Sequence, residues 1–260
     1  MAKYHVQFSL SSACVAIIVL TQFAACVLAK SNSKVWLLKQ SGLIMGAYDV
    51  YVSDAGLRAH SLKSKLVIIA KPPDWRIIAY NADAKTTWTG SIDQFHPTAS
   101  GQRFLTMASG IPALNAAILP QHREYTELGL KGIQFYTDTH WEEAQKALLR
   151  RNLITKDYPA QATYFGATSI AKVAPPCKIL EHLFDVPSKG LVPIAYRFKK
   201  LSDGKQDVLT TLSAKEIVPP VDWLDVPKGL RKVATMEEVN RDLGAQQGID
   251  QMLDNIPVPK

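Results

Sequence analysis

Between residues 48 and 92 the chain carries short runs of β-branched and aromatic residues that are apolar on both faces of the strands they would form. Tyr48, Val50 and Val52 alternate with Asp49, Tyr51 and Ser53, the period of two that sends neighbours to opposite faces of a sheet. Residues 66–70 form a continuous apolar run, bounded by Lys65 and by Lys71-Pro72-Pro73-Asp74. Trp75, Ile77 and Ala79 then alternate with Arg76, Ile78 and Tyr80, so that both sides of this strand are apolar. An antiparallel sheet with one face in water is polar on that face. Something must therefore cover the second face: helices, a bound ligand, or both.

The pattern over 34–93 predicts a β-meander, with Asp54-Ala55-Gly56 as a turn in which Gly56 supplies a positive φ. Residues 101–119 are rich in Ala, Leu and Ile, but Gly110 and Pro112 split them into two short helical pieces. Thr139-His140-Trp141-Glu142 has the spacing of a capping box, and Trp141, Ala144 and Leu148 follow at helical intervals. Strand character returns at 162–173, and a short helix is expected at 178–184. Ile194, Tyr196 and Phe198 alternate with Ala195, Arg197 and Lys199, and Ser202-Asp203-Gly204-Lys205 turns them onto a strand at 207–213. A second capping box at Thr235 to Glu238 opens a last helix. With no linker or charge block, residues 30–260 are expected to form a single domain with a helical insertion near 101–153.

The first 29 residues have the charge plan of an export signal. Lys3 precedes 24 uncharged residues, 6–29, and Val27-Leu28-Ala29 offers the short side chains that a signal peptidase requires. Cleavage after Ala29 gives a soluble chain beginning at Lys30. Two alternatives stay open. Phe23-Ala24-Ala25-Cys26 resembles a lipoprotein cleavage box, which would end the signal at residue 25 and attach lipid to Cys26; an uncleaved stretch of this length could also span a bilayer. The expected location is periplasmic or otherwise extracytoplasmic, with anchoring through Cys26 as the alternative.

Reactive chemistry leaves little trace. Three cysteines cannot build a disulfide framework, and two of them, Cys14 and Cys26, lie in the leader. His60, His96, His122, His140 and His182 include no pair at metal-ligand spacing, so no metal site and no cofactor are expected. Ser31 to Lys34 and Ser169 to Lys172 match Ser-x-x-Lys without the partner motifs that give it meaning. Assembled pairs such as Cys177 with His182 or Ser169 with His60 are the remaining routes to catalysis. The positive charge is uneven: residues 30–135 hold 12 basic and 7 acidic side chains, against 17 and 16 in 136–260. An excess concentrated in the meander half suits an ordinary solvated face or contact with anionic lipid head groups. Nucleic acid is an implausible partner behind an export signal.

The leader, the meander, the middle helices, the hairpin and the closing segment Trp223 to Val233 (Trp-Leu-Asp-Val-Pro-Lys-Gly-Leu-Arg-Lys-Val) together resemble the bacterial lipoprotein-localisation superfamily of LolA- and LolB-like carriers and receptors. The resemblance spans about 34–233 and rests most on 48–54, 66–81 and 223–233. It implies an α+β fold: a strongly curved antiparallel sheet, an incomplete β-barrel, whose concave apolar face is closed by helices and accepts acyl chains. On that basis the chain is expected to be an exported, non-enzymatic binding protein for lipid or an acylated protein. Tyr48, Trp75, Ile77, Tyr80 and Trp88 are its cavity candidates, the aromatic ones offering a large apolar face with a polar edge. The rival expectations are an exported hydrolase without a local motif and a structural outer-membrane lipoprotein whose sheet faces are filled by its own chain.

Overall fold

The computed structural model describes residues 34–97, 119–156 and 158–240. The expected leader over 1–29, with Cys26, and the helical pieces expected at 101–118 lie outside them. Contacts divide the chain after Lys34 and leave Val35–Lys260 as one compact unit.

Among the described residues that unit is built on one open sheet of twelve strands. In chain order these are β1 Val35–Gly42, β2 Gly46–Ser53, β3 Gly56–Ser61, β4 Leu66–Ala70, β5 Ile77–Asn81, β6 Thr86–Gly90, β7 Gln121–Glu127, β8 Leu130–Tyr136, β9 Pro159–Ala167, β10 Val192–Lys200, β11 Lys205–Ile217 and β12 Arg231–Lys232. Their order across the sheet is β12-β6-β5-β4-β3-β2-β1-β11-β10-β9-β8-β7. Every pair is antiparallel except β12 with β6. Helix is sparse among the described residues: α1 Thr139–Arg150, α2 Ala174–Phe184, α3 Met236–Asn240 and a single 3-10 turn, Ile92–Gln94.

The two halves of the sheet are joined by β1 and β11, whose register shifts between Lys39 and Gln40. The extra residue is Leu212 of β11, which is exposed, while Gln40 follows Leu38 into the interior by plain alternation and is 1% exposed. There its amide donates to the Pro193 carbonyl at 2.8 Å and to Thr211 Oγ1 at 2.9 Å, while the Thr211 hydroxyl donates to Ile194 O at 2.7 Å. The chain of bonds ties β1 and β11 to the irregular start of β10, where the register with β9 shifts between Pro193 and Ala195.

Several local expectations are corrected. The span assigned to a helical insertion contains the hairpin β7–β8 before α1 begins, and its polar alternation across Gln121–Glu127 lacks the apolar face that marks a strand from sequence. Helix α1 is capped by Asp138, which accepts from Trp141 N at 2.9 Å, one residue earlier than the capping box would place it. Gly56 does not take a positive φ; the turn is held by Ala55 N donating to Ser53 Oγ at 3.1 Å. The β10–β11 turn expected at 202–205 is present, with Asp203 in the left-handed region at φ 62°.

Both faces of the meander are covered, by different means. One face joins the main core, in which Val50, Leu57, Ile68 and Ile77 pack with Ile179, Leu180 and Leu183 of α2 and with Val239 of α3. The other face carries Val67, Ile69 and Tyr80, and its cover is the irregular strap at residues 218–230, through Leu224, Val226 and Leu230. Helices, a bound ligand or both were expected as the cover; α2 and α3 supply it on the first face, whereas on this one the strap turns every few residues around Pro219, Pro220 and Pro227, and proline cannot continue a helix. It then pairs with β6, Arg231 N donating to Lys85 O at 2.8 Å and Val233 N to Thr87 O at 2.9 Å.

Candidate functional site

The five cavity candidates fall on two sides of the sheet. Tyr48, Ile77 and Trp88 are buried in the main core and Trp75 packs against it half-buried, whereas Tyr80 belongs to the cluster beneath the strap. The Tyr48 ring meets Phe184 of α2 edge to face, centroids 5.7 Å apart. Its hydroxyl hydrogen-bonds Ser61, yet burial dominates and pushes its pKa up to about 12. Trp88 lies across Gly90, where a β-carbon would come within 2.3 Å of the indole. Each candidate is thus packed against protein rather than against an open apolar space.

The groups named as reactive pairs are separately engaged. Cys177 is buried; its thiol contacts Val173 O at 3.7 Å, and burial raises its pKa to about 11, far from the thiolate needed for attack. His182, five residues on along α2, has Nδ1 3.4 Å from Phe95 O. Ser169 donates to Lys131 O at 3.4 Å, away from His60. No cluster of three or more metal-ligating side chains occurs among the described residues.

A groove of about 220 Å³ runs between β2–β3 and the strap. Its floor is Asp49 opposite His60 and Tyr51 opposite Arg58; its wall is Pro220, Asp222 and Trp223. Arg58 ties the two together, donating from Nη1 to Trp223 O at 3.1 Å and from Nη2 to Tyr80 Oη at 3.2 Å. The His60 pKa is lowered by burial first and then by the positive charges of Arg58 and Lys65. Asp49 keeps one buried oxygen without a hydrogen bond.

The charge excess read from sequence resolves into a position. In an antiparallel sheet alternate turns open on opposite ends. The turns β1–β2, β3–β4, β5–β6 and β10–β11 share one rim, as Leu43 N bonding Val208 O and Leu62 N bonding Ala47 O confirm. Spaced two strands apart, these turns cover about 30 Å along the sheet. Lys63, Lys65, Lys85 and Lys205 stand exposed on them. Of the two acids in these turns, Asp83 and Asp203, the latter is paired with Lys199 at 2.7 Å. Exposed leucines sit among the lysines, Leu43 at 48% and Leu62 at 46%. The opposite rim sets Lys71, Arg76 and Lys172 beside Asp54 and Asp74, and Asp54 accepts from the backbone N–H of Lys172 and Val173; Asp185 lies at the lysine end, next to Phe184, which packs on Tyr48 and beside Gly42. The sequence reading missed the leucines because Leu62 stands alone in its turn and the apolar Leu43-Ile44-Met45 shows itself as a turn only once β1 and β2 are paired.

No helix among the described residues is long and apolar enough to cross a membrane. No known protein family matches this sequence, and no curated protein does. Among solved structures, an uncharacterized conserved protein from Thermus thermophilus shares 11% identity over 82% of this chain and 99% of its own, with a TM-score of 0.38. A likeness of that size carries no argument about fold or function.

Proposed function

We propose that this chain is a non-enzymatic, extracytoplasmic protein that works against an anionic lipid surface, meeting it with the rim that bears Leu43, Leu62, Lys63, Lys65 and Lys85. The observation that carries this reading is the coincidence of exposed leucines and lysines on neighbouring turns at one end of the sheet. A lysine near an anionic membrane contributes about 1 kcal/mol, and a fully buried leucine about 1.5–3 kcal/mol. Neither alone holds a protein on a bilayer, but charge and apolar insertion acting together do.

A finer form of the reading is carriage of an acyl chain. We infer that the sheet curves as an incomplete β-barrel about α2, because the edge contact of Tyr48 with Phe184 and the shared core draw β2 and α2 together. Tyr48, Trp75, Ile77 and Trp88 would line the acyl site only after α2 moves aside; Tyr80 faces the strap and is excluded from it. In this form the LolA- and LolB-like resemblance would extend to function.

Sedimentation with vesicles tests the proposal. Phosphatidylcholine vesicles containing phosphatidylglycerol are expected to capture the purified chain at low salt and to release it at about 0.5 M salt, where screening shortens to a few ångströms. No capture, or equal capture by pure phosphatidylcholine at both salt concentrations, would overturn it. Native mass spectrometry of the same preparation separates the two forms: a co-purified acyl lipid favours the carrier, and bare protein that still sediments favours the surface reading alone.

A further inference from the structure

On the outer face of the sheet, at the end remote from the strap, lies an open cleft of about 570 Å³. Its floor follows from strand alternation. Gln121 and Arg123 on β7, Gln134 and Tyr136 on β8, and Gln161 and Thr163 on β9 sit two apart on adjacent strands, in a register that aligns Gln121 with Tyr136 and Tyr136 with Thr163. Six polar side chains therefore share one face. The N-terminus of α1 forms the wall with Asp138 and Thr139.

The charged side chains of this cleft each have a partner within the protein, although among the described residues the Nη groups of Arg123 make no hydrogen bond. Arg123 donates from Nε to Gln134 Oε1 at 2.7 Å and lies over the rings of Tyr125 and Tyr136 at 5.8 and 5.7 Å. Asp138 caps α1. Gln161 is anchored by donating to Glu142 at 2.6 Å, and Glu142 is paired with Lys146 at 2.8 Å. Among the described residues, the Gln121 amide and the hydroxyls of Tyr136, Thr139 and Thr163 make no side-chain hydrogen bond. These are bifunctional groups, each able to donate and to accept.

A ligand that suits such a lining has groups that likewise donate and accept. A carboxylate only accepts, an ammonium only donates, and an acyl chain does neither. Hydroxyl groups on a compact ring satisfy all four, and the volume lies in the ordinary range for small-molecule sites. The geometry points to this cleft as a binding site for a neutral saccharide. The site shares no lining residue with the rim, although its α1 wall lies near the β10–β11 turn, and it does not depend on the lipid reading.

Saturation-transfer NMR on the purified chain tests it, with glucose, N-acetylglucosamine and their β1→4-linked dimers as probes and with acetate and ethanolamine as charged comparisons. At least one sugar is expected to receive saturation at about 10 mM, the regime of weak millimolar affinity. Tyr136→Phe and Thr163→Val, each removing one hydroxyl and little volume, are expected to weaken binding at least fivefold with melting temperature unchanged. Gln121→Ala, at an exposed position on the edge strand, gives the same reading should either of those variants fail to fold. Silence from every sugar, binding equal in the variants and the parent chain, or tighter binding of acetate or ethanolamine would overturn the assignment.

Discussion

Leu224 occupies the space in which a side chain on Gly56 would lie: a β-carbon there would stand 2.6 Å from Leu224 Cδ1 and 3.2 Å from Ala70 O. The glycine that looked like a turn residue is instead the seat of the strap. Gly56→Ala is expected to cost about 1–3 kcal/mol, the usual range for overpacking, and to loosen residues 218–230. Limited proteolysis and tryptophan emission would report it. Unchanged cleavage and emission would show that Leu224 is not what holds the strap down.

At the rim, reversing Lys63, Lys65 and Lys85 to Glu exchanges three attractions for three repulsions. At about 1 kcal/mol per charge the apparent affinity for anionic vesicles is expected to fall by at least 100-fold. Thermal stability should hold, since all three are exposed turn residues. Leu43→Ser with Leu62→Ser should weaken binding while leaving its salt dependence intact, so sedimentation at several salt concentrations separates the two contributions.

Trp88 and Trp75 are expected to differ as substitution sites. Trp88, 8% exposed, is surrounded by core, and Trp88→Ala should cost about 3–5 kcal/mol. Trp75 stands before β5 with φ 51° and is half-buried, so its loss should cost less. Denaturant titration gives both values. Equal costs would mean that Trp75 is held more deeply than its exposure indicates.

Alkaline stability follows from Tyr48. Its pKa in the folded chain, about 12, lies above the ordinary tyrosine value of 10. The unfolded chain therefore loses this proton first. The contribution is complete below pH 10 and is lost as pH rises from 10 towards 12, at about 1.4 kcal/mol per pH unit. Burial raises Tyr164 and Tyr196 in the same direction. Tyr48→Phe should flatten part of this alkaline decline; a profile identical to that of the parent chain would assign the decline to the other tyrosines.

The meander was legible because its residues obey one local rule. Tyr48, Val50 and Val52 alternate, and 66–70 are apolar throughout, so the strand and its double burial could both be read. The nature of the cover could not, since Leu224, Val226 and Leu230 act from irregular backbone that has no period. β7 escaped for the opposite reason: it lies at an edge with nearly every residue exposed, and Gln121 to Glu127 has no apolar face to betray a strand. The alternation of residues 75–80 sets Tyr80 apart from Trp75 and Ile77, as the two clusters do, but alternation alone does not say which side belongs to a cavity and which to the strap. The rim depended on neither pattern. Lys63, Lys65 and Lys85 become neighbours of Leu43 only through antiparallel pairing.

The bonding of Gln40 to Thr211, 171 positions apart, has a consequence in time as well as in space. The first strand cannot find its second neighbour until nearly the whole chain has emerged. Until then the meander can form only as a leaf with two apolar sides, one awaiting α2 and the other awaiting the strap. Contacts so remote in sequence make for slow assembly and long exposure of sticky surface. Both sides of the leaf therefore stay in water until α2 and then the strap, at residues 218–230, have been made.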